Sequence, residues 1–460
     1  MIKAANKTDG SFRDPSGFVF VNKGALYRQI NGCYKEHYDY LIQSGLYRHL
    51  SENGLLVRHD EVNETFSTAK NAYKVLKPKE IAFISYPYEW CFSQLKAAAI
   101  TTLEIQRIAL EYGMTLKDSS AYNIQFADSK PIFIDTLSFE IYVPGEPWVA
   151  YRQFCEQFFC PLALMSFTDL RLNQLARVFI NGIPLDLASK LLPKKTYLTF
   201  SLLSHIHLHA KSQRYFSNRK VYPHHFTMSK QSQTALLSHL TSSVRGMKSS
   251  GSQFSVWHSY YKDNNYSEKA FEHKKSIFNS FLDRISPKTL FDFGANTGIF
   301  SKISSDRGII TYSFDNDAQC IEKLYNECAS ENKRNILPLV MDLSNPSAGI
   351  GWANRERLSL GDRGPVDAIS ALALIHHLVI SNNIPLEKIA DFFSSLCAYL
   401  IIEFVPKSDS QVQRLLSNRK DVFEDYNEQC FEKSFSIYFN QIDKIHIVES
   451  ERKMYVFAKR

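Results

Sequence analysis

Three aspartates in the C-terminal half of the chain each close a short apolar run. They are Asp292, Asp315 and Asp342, and the first is followed by the loop Gly294-Ala-Asn-Thr-Gly298. The two glycines let the backbone turn sharply and let a ligand lie against bare main chain. In an open parallel sheet the carboxyl ends of the strands share one edge, where ligands bind. The pattern predicts a ligand site at that edge, lined by three carboxylates.

The chemistry of these carboxylates favours a nucleoside without phosphates. Asp315 can accept hydrogen bonds from both hydroxyls of a ribose, Asp342 can accept one from an adenine amino group, and Asp292 can face a cationic group directly or through water. A helix opening at Thr297 would aim free N–H groups into the same space. Three carboxylates would repel a phosphate, and the second and third glycines of the dinucleotide motif are missing. We therefore expect S-adenosylmethionine, a nucleoside that carries a sulfonium.

The C-terminal elements needed to position this site alternate between strands and helices, which favours a parallel sheet covered on both faces. The predicted strands are Thr289–Phe293, Ile309–Phe314, Ile336–Met341, Val366–Ala371 and Tyr399–Phe404. Two further runs, Lys444–Val448 and Lys453–Lys459, have no helix between them. They predict an antiparallel hairpin that closes the sheet.

The length of 460 residues favours two domains. A polar, Ser-rich stretch at 211–255, with one short helical patch at 234–240, reads as a connector. We predict an N-terminal domain at 1–210 and a C-terminal domain at 256–460. The N-terminal part is mixed α and β, with an early hairpin around residues 16–24 and a long helix that ends at Gly113, a favourable helix-terminating residue.

The composition, with 44% apolar and 22% charged residues, is that of a water-soluble globular protein. A net charge of +7 is small for this length and does not by itself indicate a nucleic-acid partner. The N-terminus lacks the apolar core of a secretory signal, and no apolar run is long enough to span a bilayer. Eight dispersed cysteines without a Cys-x-x-Cys pair indicate reduced thiols. We expect a cytoplasmic protein without a membrane span.

Residues 285–460 resemble the class I S-adenosylmethionine-dependent methyltransferases. Over nearly its whole length the chain also resembles a bacterial two-domain family of such enzymes that includes a nodulation-associated protein. The resemblance implies a Rossmann-like α/β sheet, parallel except for its terminal hairpin, after an α+β domain. The residues it implies for cofactor binding are Asp292, Gly294, Asn296, Thr297, Gly298, Asp315, Asp342 and Leu343. The other matching segments are Ser11–Gly17, Tyr86–Trp90, Leu116–Asn123, Phe133–Asp135, Trp148–Phe154, Glu403–Pro406 and Phe423–Tyr426.

Methyl transfer from a sulfonium depends mainly on holding nucleophile, methyl and sulfur in line. A base is needed only when the acceptor is a hydroxyl or a protonated amine. His376 and His377 follow the fourth strand, where a histidine with a pKa near neutral could take that proton. Neighbouring helical residues point about 100° apart, so at most one should face the site. The alternative is that both cap or pack the following helix.

Glu403, at the end of the fifth strand, could bind the acceptor or hold a neighbouring loop by a hydrogen bond. Tyr266 could cover the adenine or the acceptor, or pack in the core. We expect Lys274 and Lys275 to lie on a solvated helix face. No Asn-Pro-Pro-Tyr or Asp-Pro-Pro-Tyr follows the fourth strand, which argues against the amines of nucleic-acid bases. A small molecule or a glycan is the favoured acceptor, whether through oxygen, nitrogen or carbon, and the oligomeric state stays open.

The N-terminal half carries a second constellation in Asp118, Asn123 and Asp135. Kinase-like phosphotransferases use a catalytic aspartate, a metal-binding asparagine five residues later and a metal-binding aspartate after the next strand. Three departures weaken this reading: Lys117 precedes Asp118, no Gly-rich loop lies upstream, and only Lys74 or Lys77 could be the strand lysine. A kinase-like remnant that binds the acceptor or a partner, and a simple turn capped by Asp118, remain alternatives.

Outside that alternative we predict no metal site. The histidines at 205, 207 and 209 would share one face of a strand, but no carboxylate accompanies them. The sequence as a whole favours a methyltransferase whose N-terminal domain selects the acceptor. The alternatives are an N-terminal phosphotransferase fused to a cofactor-binding module, and a binding protein without catalytic activity.

Overall fold

The computed structural model describes residues 6–63, 71–212, 227–250, 266–417 and 420–460. The chain forms two units. Unit 1 comprises Met1–Ser252 together with Ile350–Arg357, and unit 2 comprises Gln253–Gly349 together with Leu358–Arg460. A short segment from the C-terminal half is therefore part of unit 1, whereas the sequence analysis kept all of 256–460 in one domain.

Unit 1 begins with a five-stranded antiparallel sheet in the order β1-β2-β3-β5-β4. The early hairpin is confirmed as β2 and β3, which pair directly across a turn at Lys23 and Gly24. The strands are β1 (Asn6–Lys7), β2 (Gly17–Asn22), β3 (Ala25–Asn31), β4 (His59–Val62) and β5 (Ala72–Pro78), with helices α1 (Lys35–Gln43) and α2 (Leu46–Glu52) between β3 and β4.

A 20-residue helix, α3 (Phe92–Glu111), follows the sheet and ends before Gly113, as predicted, where the glycine has a φ of +74°. Two small antiparallel strand pairs come next. They are β6 (Met114–Leu116) with β9 (Phe139–Ile141), and β7 (Ile124–Ala127) with β8 (Lys130–Phe133). The loops between these strands carry Asp118, Asn123 and Asp135.

The rest of unit 1 is helical. Its helices are α4 (Tyr151–Phe154), α5 (Cys160–Phe167), α6 (Leu175–Val178), α7 (Leu185–Leu191), α8 (Phe200–Leu202) and α9 (Lys230–Gly246), with wider π-helical turns at Cys155–Phe159 and Leu203–Leu208. The strand expected for the histidines at 205–209 is therefore wrong. His205 hydrogen-bonds Tyr151 and His239, and His207 hydrogen-bonds Ser189 and Thr196.

Helix α9 also differs from the predicted connector at 211–255. Ser229 caps it by accepting the N–H of Ser232 at 3.1 Å. Leu237, Leu240 and Val244 recur at helical spacing, are buried, and turn this helix toward α3. Although this stretch is polar and serine-rich overall, its narrow apolar stripe packs against α3, and the helix therefore belongs to unit 1.

Unit 2 is built on a seven-stranded sheet in the order β12-β11-β10-β13-β14-β16-β15. The strands are β10 (Thr289–Phe293), β11 (Ile310–Asp315), β12 (Ile336–Val340), β13 (Val366–Ala371), β14 (Cys397–Phe404), β15 (Phe439–His446) and β16 (Lys453–Lys459). Strands β10 to β14 are parallel, and β16 lies antiparallel between β14 and β15. This confirms the predicted parallel sheet with its terminal hairpin.

Helices separate these strands, as the alternation in the sequence predicted. They are α10 (Glu268–Ile285), α11 (Ile299–Asp306), α12 (Ala318–Ser330), α13 (Leu360–Arg363), α14 (Leu386–Leu396), α15 (Ser410–Leu416) and α16 (Glu428–Ser436). One core cluster joins Phe278 and Phe281 of α10 to Leu290 of β10 and Ile401 of β14, all fully or almost fully buried. Burial of each such side chain stabilises the fold by about 1.5–3 kcal/mol. The cluster thereby holds the sheet in place, together with the loops at its edge.

No helix in the part of the chain that the structure describes is both long and apolar enough to span a membrane. Each of the eight cysteines is a free thiol.

Candidate cofactor site

The loop after β10 depends on left-handed backbone at three of its five positions. The φ angles are +73° at Gly294, +51° at Asn296 and +79° at Gly298, and asparagine tolerates this region better than most residues. The N–H groups of Gly294 and Ala295 donate to the carbonyl of Phe314 at 2.9 and 3.0 Å, which ties the loop to the end of β11. Helix α11 begins at Ile299 and not at Thr297 as expected, because Gly298 is still left-handed.

Asp315 is fixed by backbone donors on both of its oxygens. One oxygen accepts the N–H of Asn296 and the other accepts the N–H of Asp317, both at 2.8 Å. A carboxylate offers about four acceptor positions, so capacity remains for two further donors. That is the requirement for binding a vicinal diol.

A cavity of about 340 Å³ opens beside this loop, within the size range of small-ligand sites. Six of the eight residues predicted to bind cofactor line it: Asp292, Gly294, Asn296, Asp315, Asp342 and Leu343. Thr297 and Gly298 are not among the residues that line it. The structure thus brings the three strand-end carboxylates to one cavity.

Asp292 is 3% exposed and accepts a hydrogen bond from the Ser301 hydroxyl at 2.5 Å. Burial raises its pKa to about 6, against the lowering effects of that hydrogen bond and of the nearby Lys274. The pKa of Asp315 is also raised to about 6 by its enclosure, although the two backbone N–H groups oppose the shift. The groups around these two carboxylates therefore do not fully offset the cost of their burial. A bound ligand can supply further hydrogen-bond donors or positive charge.

The two histidines differ in position. His377 lines the cavity, and burial together with the charge of Arg452 lowers its pKa to about 4. His376 is 1% exposed and is not part of the cavity lining, and neither of its ring nitrogens has a hydrogen-bond partner among the residues that the structure describes. Burial, followed by the charges of its neighbours, lowers the pKa of His376 well below its usual value. Burial therefore disfavours the charged form of both imidazoles.

Glu403 lies behind the cavity in a buried network and does not line it. Its carboxylate accepts a hydrogen bond from the Tyr266 hydroxyl, accepts one from Lys274 Nζ at 2.6 Å, and lies 3.5 Å from Arg452. Burial alone would raise the pKa of Glu403, but the charges of Lys274 and Arg452 outweigh it and keep that pKa below its ordinary value. Arg452 in turn forms a two-point ion pair with Asp409.

The expectation for Lys274 was wrong, because its side chain is 4% exposed and lines the cavity. Only Lys275 of the pair lies toward solvent, bonded to Glu272 at 2.7 Å. The signal was present in the sequence. Lys274 is four residues after Ala270 and four before Phe278, on the buried face of α10.

In unit 1 the structure also brings Asp118, Asn123 and Asp135 together. The Asn123 side chain hydrogen-bonds Asp118 and also donates to Ser138 at 3.1 Å, and Ser138 donates to Asp135 at 2.5 Å. Burial and the charge of Asp135 raise the pKa of Asp118. Asp118 also accepts the N–H of Ser120, so the turn foreseen by the simpler alternative is present as well.

The cation beside this group was missed by the sequence analysis. Arg28 on β3 forms an ion pair with Asp135, whereas the candidate Lys74 pairs with Glu61 at 2.8 Å. Burial would raise the pKa of Asp135, but Arg28 and the hydrogen bonds to Ser138 and Leu137 hold it below its ordinary value. Lys117, the residue before Asp118, bonds Ser16 at 2.9 Å and Asp14 at 3.3 Å.

In the part of the chain that the structure describes, no three His, Cys, Asp or Glu side chains are grouped so that they could hold a metal ion. A site that relied on Asn123 and Asp135 would need further ligands from substrate and water, as magnesium sites often do.

Unit 2 has the fold of the class I S-adenosylmethionine-dependent methyltransferases, a parallel sheet closed by an antiparallel terminal hairpin with a glycine loop after its first strand. No family model matches the sequence. The chain is 34% identical over 457 residues to the nodulation protein NoeA of Rhizobium meliloti (strain 1021), a match that covers 98% of this chain and 95% of that protein. The chain therefore belongs to the NoeA family.

Two solved structures similar to this chain each cover less than half of it. The PH0226 protein of Pyrococcus horikoshii OT3 is 14% identical over 45% of this chain and 100% of its own length, with a TM-score of 0.33. Magnesium protoporphyrin IX methyltransferase (ChlM) of Synechocystis PCC 6803, solved with bound SAH, is 13% identical over 44% of this chain and 93% of its own, with a TM-score of 0.32.

Proposed function

We propose that unit 2 binds S-adenosylmethionine and that the protein transfers its methyl group to an acceptor. The observation that carries this proposal is the meeting of Asp292, Asp315 and Asp342 at one cavity beside a loop of left-handed backbone. Hydroxyl and amino donors of a nucleoside suit carboxylates, and a sulfonium suits a negative field. A phosphate would meet three acids and only one lysine or arginine among the residues that line the cavity.

The donor groups of the site fit the parts of this cofactor. The spare acceptor positions of Asp315 suit the ribose diol, and Asp342 with Leu343 suits the adenine. Asp292 and the loop at Gly294 are left for the methionine end, where positive charge would relieve the cost of the buried carboxylate. When bound, the cofactor supplies a methyl group activated by the sulfonium.

The residues of the chain have the tasks of orientation and proton transfer. We propose His377 rather than His376 as the base for a hydroxyl or ammonium acceptor, because His377 lines the cavity and His376 does not. His376 faces other side chains and serves packing. Glu403 acts as a positioning residue through Lys274 and Tyr266.

For the acceptor we propose a small molecule or a glycan in the cytoplasm, selected by unit 1, and no nucleic acid. The name of the NoeA relative connects that protein with nodulation. A role in nodulation for this chain is part of the same proposal.

Calorimetry of the full chain with S-adenosylhomocysteine tests the proposal. We expect binding by the wild type and at least 100-fold weaker binding by Asp315→Ala, which removes both acceptors of the diol. The matched control is Asp283→Ala on the outer face of α10, where the carboxylate pairs with Arg307 and does not line the cavity, and its affinity should be unchanged. Failure of the wild type to bind would contradict the proposal. Binding without methyl transfer to any fraction of a cell extract would favour the non-catalytic alternative.

One observation favours a second candidate function, phosphotransfer by unit 1. The Asp118–Asn123 spacing, the position of Asp135 after β8 and the arginine that reaches it from β3 match the catalytic loop, metal-binding aspartate and β3 cation of kinase-like enzymes. The pairing of β6 with β9 and of β7 with β8 places all three groups on adjacent loops.

Calorimetry with magnesium and ATP separates the two candidates. Phosphotransfer predicts binding that needs magnesium and that is lost in Asn123→Ala, while S-adenosylhomocysteine still binds. The control Asn326→Ala changes an exposed asparagine of α12 whose side chain hydrogen-bonds Glu322. Absence of magnesium-dependent binding by the wild type would leave unit 1 with acceptor recognition alone.

A further inference from the structure

Lys274 is a charged residue in a position normally reserved for apolar ones. It lies on the buried face of α10 with Ala270, Ile277 and Phe278, and it also lines the cavity of unit 2. Its Nζ lies 4.9 Å from the ring centre of Tyr266 and 5.1 Å from that of Phe300. Lysine in such surroundings is expensive unless its charge is matched and its donors are used.

The ammonium has three N–H donors, and the described residues account for two of them. One donates to Glu403 at 2.6 Å, and a second lies 3.4 Å from the hydroxyl of Tyr266. The Tyr266 hydroxyl donates its single proton to Glu403 and accepts a hydrogen bond from Arg452 at 2.9 Å, so it acts toward Lys274 only as an acceptor. One N–H of Lys274 therefore has no acceptor among the residues that the structure describes.

The charges of the residues that line the cavity indicate which group the remaining N–H of Lys274 can bind. Of the residues that line the cavity, Lys274 is the one lysine or arginine, and it stands against Asp292, Asp315 and Asp342. The methionine end of the proposed cofactor carries an ammonium, which suits these acids, and a carboxylate, which they repel. A buried ammonium with a spare donor is the complement of that carboxylate.

We propose that Lys274 binds the carboxylate of the methionine moiety, with Glu403 and Tyr266 as the residues that position its Nζ. The inference rests on the proposed function of the cavity. It adds a determinant of specificity, because a ligand that lacks the carboxylate would leave Lys274 with an unused buried donor. The protein then selects the complete amino-acid ligand over its fragments.

Calorimetry on the full chain tests this with three ligands: S-adenosylhomocysteine, its analogue that lacks only the carboxylate, and 5′-methylthioadenosine, which lacks the amino acid. We expect the wild type to bind S-adenosylhomocysteine at least tenfold more tightly than the decarboxylated analogue. In Lys274→Met the affinity for S-adenosylhomocysteine should fall about 10- to 100-fold, with the other two affinities unchanged. An equal loss for all three ligands, or no loss, would overturn the assignment.

Two further variants keep the test interpretable. Lys302→Met changes a lysine of α11 that bonds Glu327 and Glu331 and does not line the cavity, and it should bind all three ligands like the wild type. If Lys274→Met alone does not fold, Lys274→Met combined with Glu403→Gln removes both members of the ion pair. The wild-type preference between S-adenosylhomocysteine and its decarboxylated analogue needs no variant at all. A wild type that binds none of the ligands would overturn the proposed function and the role of Lys274 with it, whereas a wild type that binds S-adenosylhomocysteine and its decarboxylated analogue equally would overturn the role of Lys274 alone.

Discussion

Buried aspartates in the two units experience opposite electrostatic conditions. In unit 1, Asp135 is paired with Arg28 and hydrogen-bonded to Ser138, and its pKa lies below the ordinary value. In unit 2, Asp292 accepts a hydrogen bond from the Ser301 hydroxyl, and burial raises its pKa to about 6. One carboxylate has its partners within the protein, and the other has a cavity in front of it.

The difference shows how a binding site and a structural ion pair can be told apart. A carboxylate with a lowered pKa stabilises the fold when it is ionised, whereas one with a raised pKa destabilises the fold at neutral pH and can recover that cost from a ligand. By this criterion the cavity of unit 2 is prepared for a cationic or hydrogen-bonding ligand. Before Asp135 could bind a ligand in unit 1, it would have to exchange its ion pair with Arg28 for a metal ion or share Arg28 with a phosphate.

The largest effect is expected in unit 1, from Asp135→Asn. The change removes the charge opposite Arg28, whose side chain is 18% exposed, and leaves a mostly buried guanidinium unpaired. Breaking a buried pair on one side costs about 3–5 kcal/mol. Urea unfolding followed in the full chain should show unit 1 unfolding at lower urea.

The control is the double variant Arg28→Met/Asp135→Asn, which removes both charges and should regain at least half of the lost stability. If the single variant unfolds like the wild type, the ion pair is not the structural element described here, and the contrast with Asp292 disappears.

A smaller loss is expected from Gly298→Ala in the loop of unit 2. A Cβ at this position would lie 2.3 Å from Cδ1 of the fully buried Leu324, and the φ of +79° is unfavourable for alanine. Overpacking and backbone strain together should cost about 2–3 kcal/mol. Thermal unfolding of unit 2 measures it.

Gly308 provides the matched control, since its φ is +80° and nothing lies within 4 Å of an added Cβ. Gly308→Ala should therefore show only the backbone part of the loss, about 1 kcal/mol. Equal effects at the two glycines would mean that contact with Leu324 does not constrain the loop.

Much of unit 2 could be predicted because local patterns determine it. The strands at 289–293, 366–371 and 453–459 have their predicted bounds, since each is a short apolar or alternating run between turns. The loop and its three acids were found because glycine and aspartate at strand ends have few structural uses. Lys274 was missed because its charge was given more weight than its helical position.

Other features depend on contacts that no local pattern records. Glu356 is 5% exposed, and its two carboxylate oxygens accept hydrogen bonds from Nε and one terminal nitrogen of Arg13, at 2.5 and 2.8 Å, across 343 positions of sequence. Such a pairing makes residues 350–357 part of unit 1 and is invisible before the chain is folded. Arg28 likewise reaches Asp135 across 107 positions. Neither partner has a sequence signature.

Asp292→Asn should have the opposite sign to Asp135→Asn. The folded-state pKa of Asp292 is about 6, which is above that of an unfolded aspartate. The ionised carboxylate therefore destabilises the fold above pH 6. The wild type gains stability as the pH falls from 6 toward 4, because the carboxylate is then protonated in the folded state. An amide carries no such charge, and the Ser301 hydroxyl can turn to bond it. The free energy of unfolding of unit 2 at pH 7.5 should rise by about 1–2 kcal/mol. A loss of stability would show that the buried charge is already compensated within the protein.

The last effect concerns ligand binding and not stability: it is the pH dependence of cofactor binding, and it uses the same two acids without any substitution. Asp292 and Asp315 titrate near pH 6 in the free protein, and a ligand that pairs with their ionised forms lowers both pKa values. Affinity should then be constant above pH 7 and fall as the pH drops through 6, by about tenfold per group at pH 5. Calorimetry with S-adenosylhomocysteine at pH 7.5 and 5.0 measures the ratio of the two affinities, and Asp292→Asn should remove one of the two contributions.

Magnesium-dependent ATP binding by unit 1, if phosphotransfer is its function, should show no fall at pH 6 that is traceable to Asp135, because Arg28 already keeps that carboxylate ionised. A wild-type affinity for S-adenosylhomocysteine that is flat from pH 7.5 to 5.0 would mean that the cavity does not hold its ligand through these carboxylates.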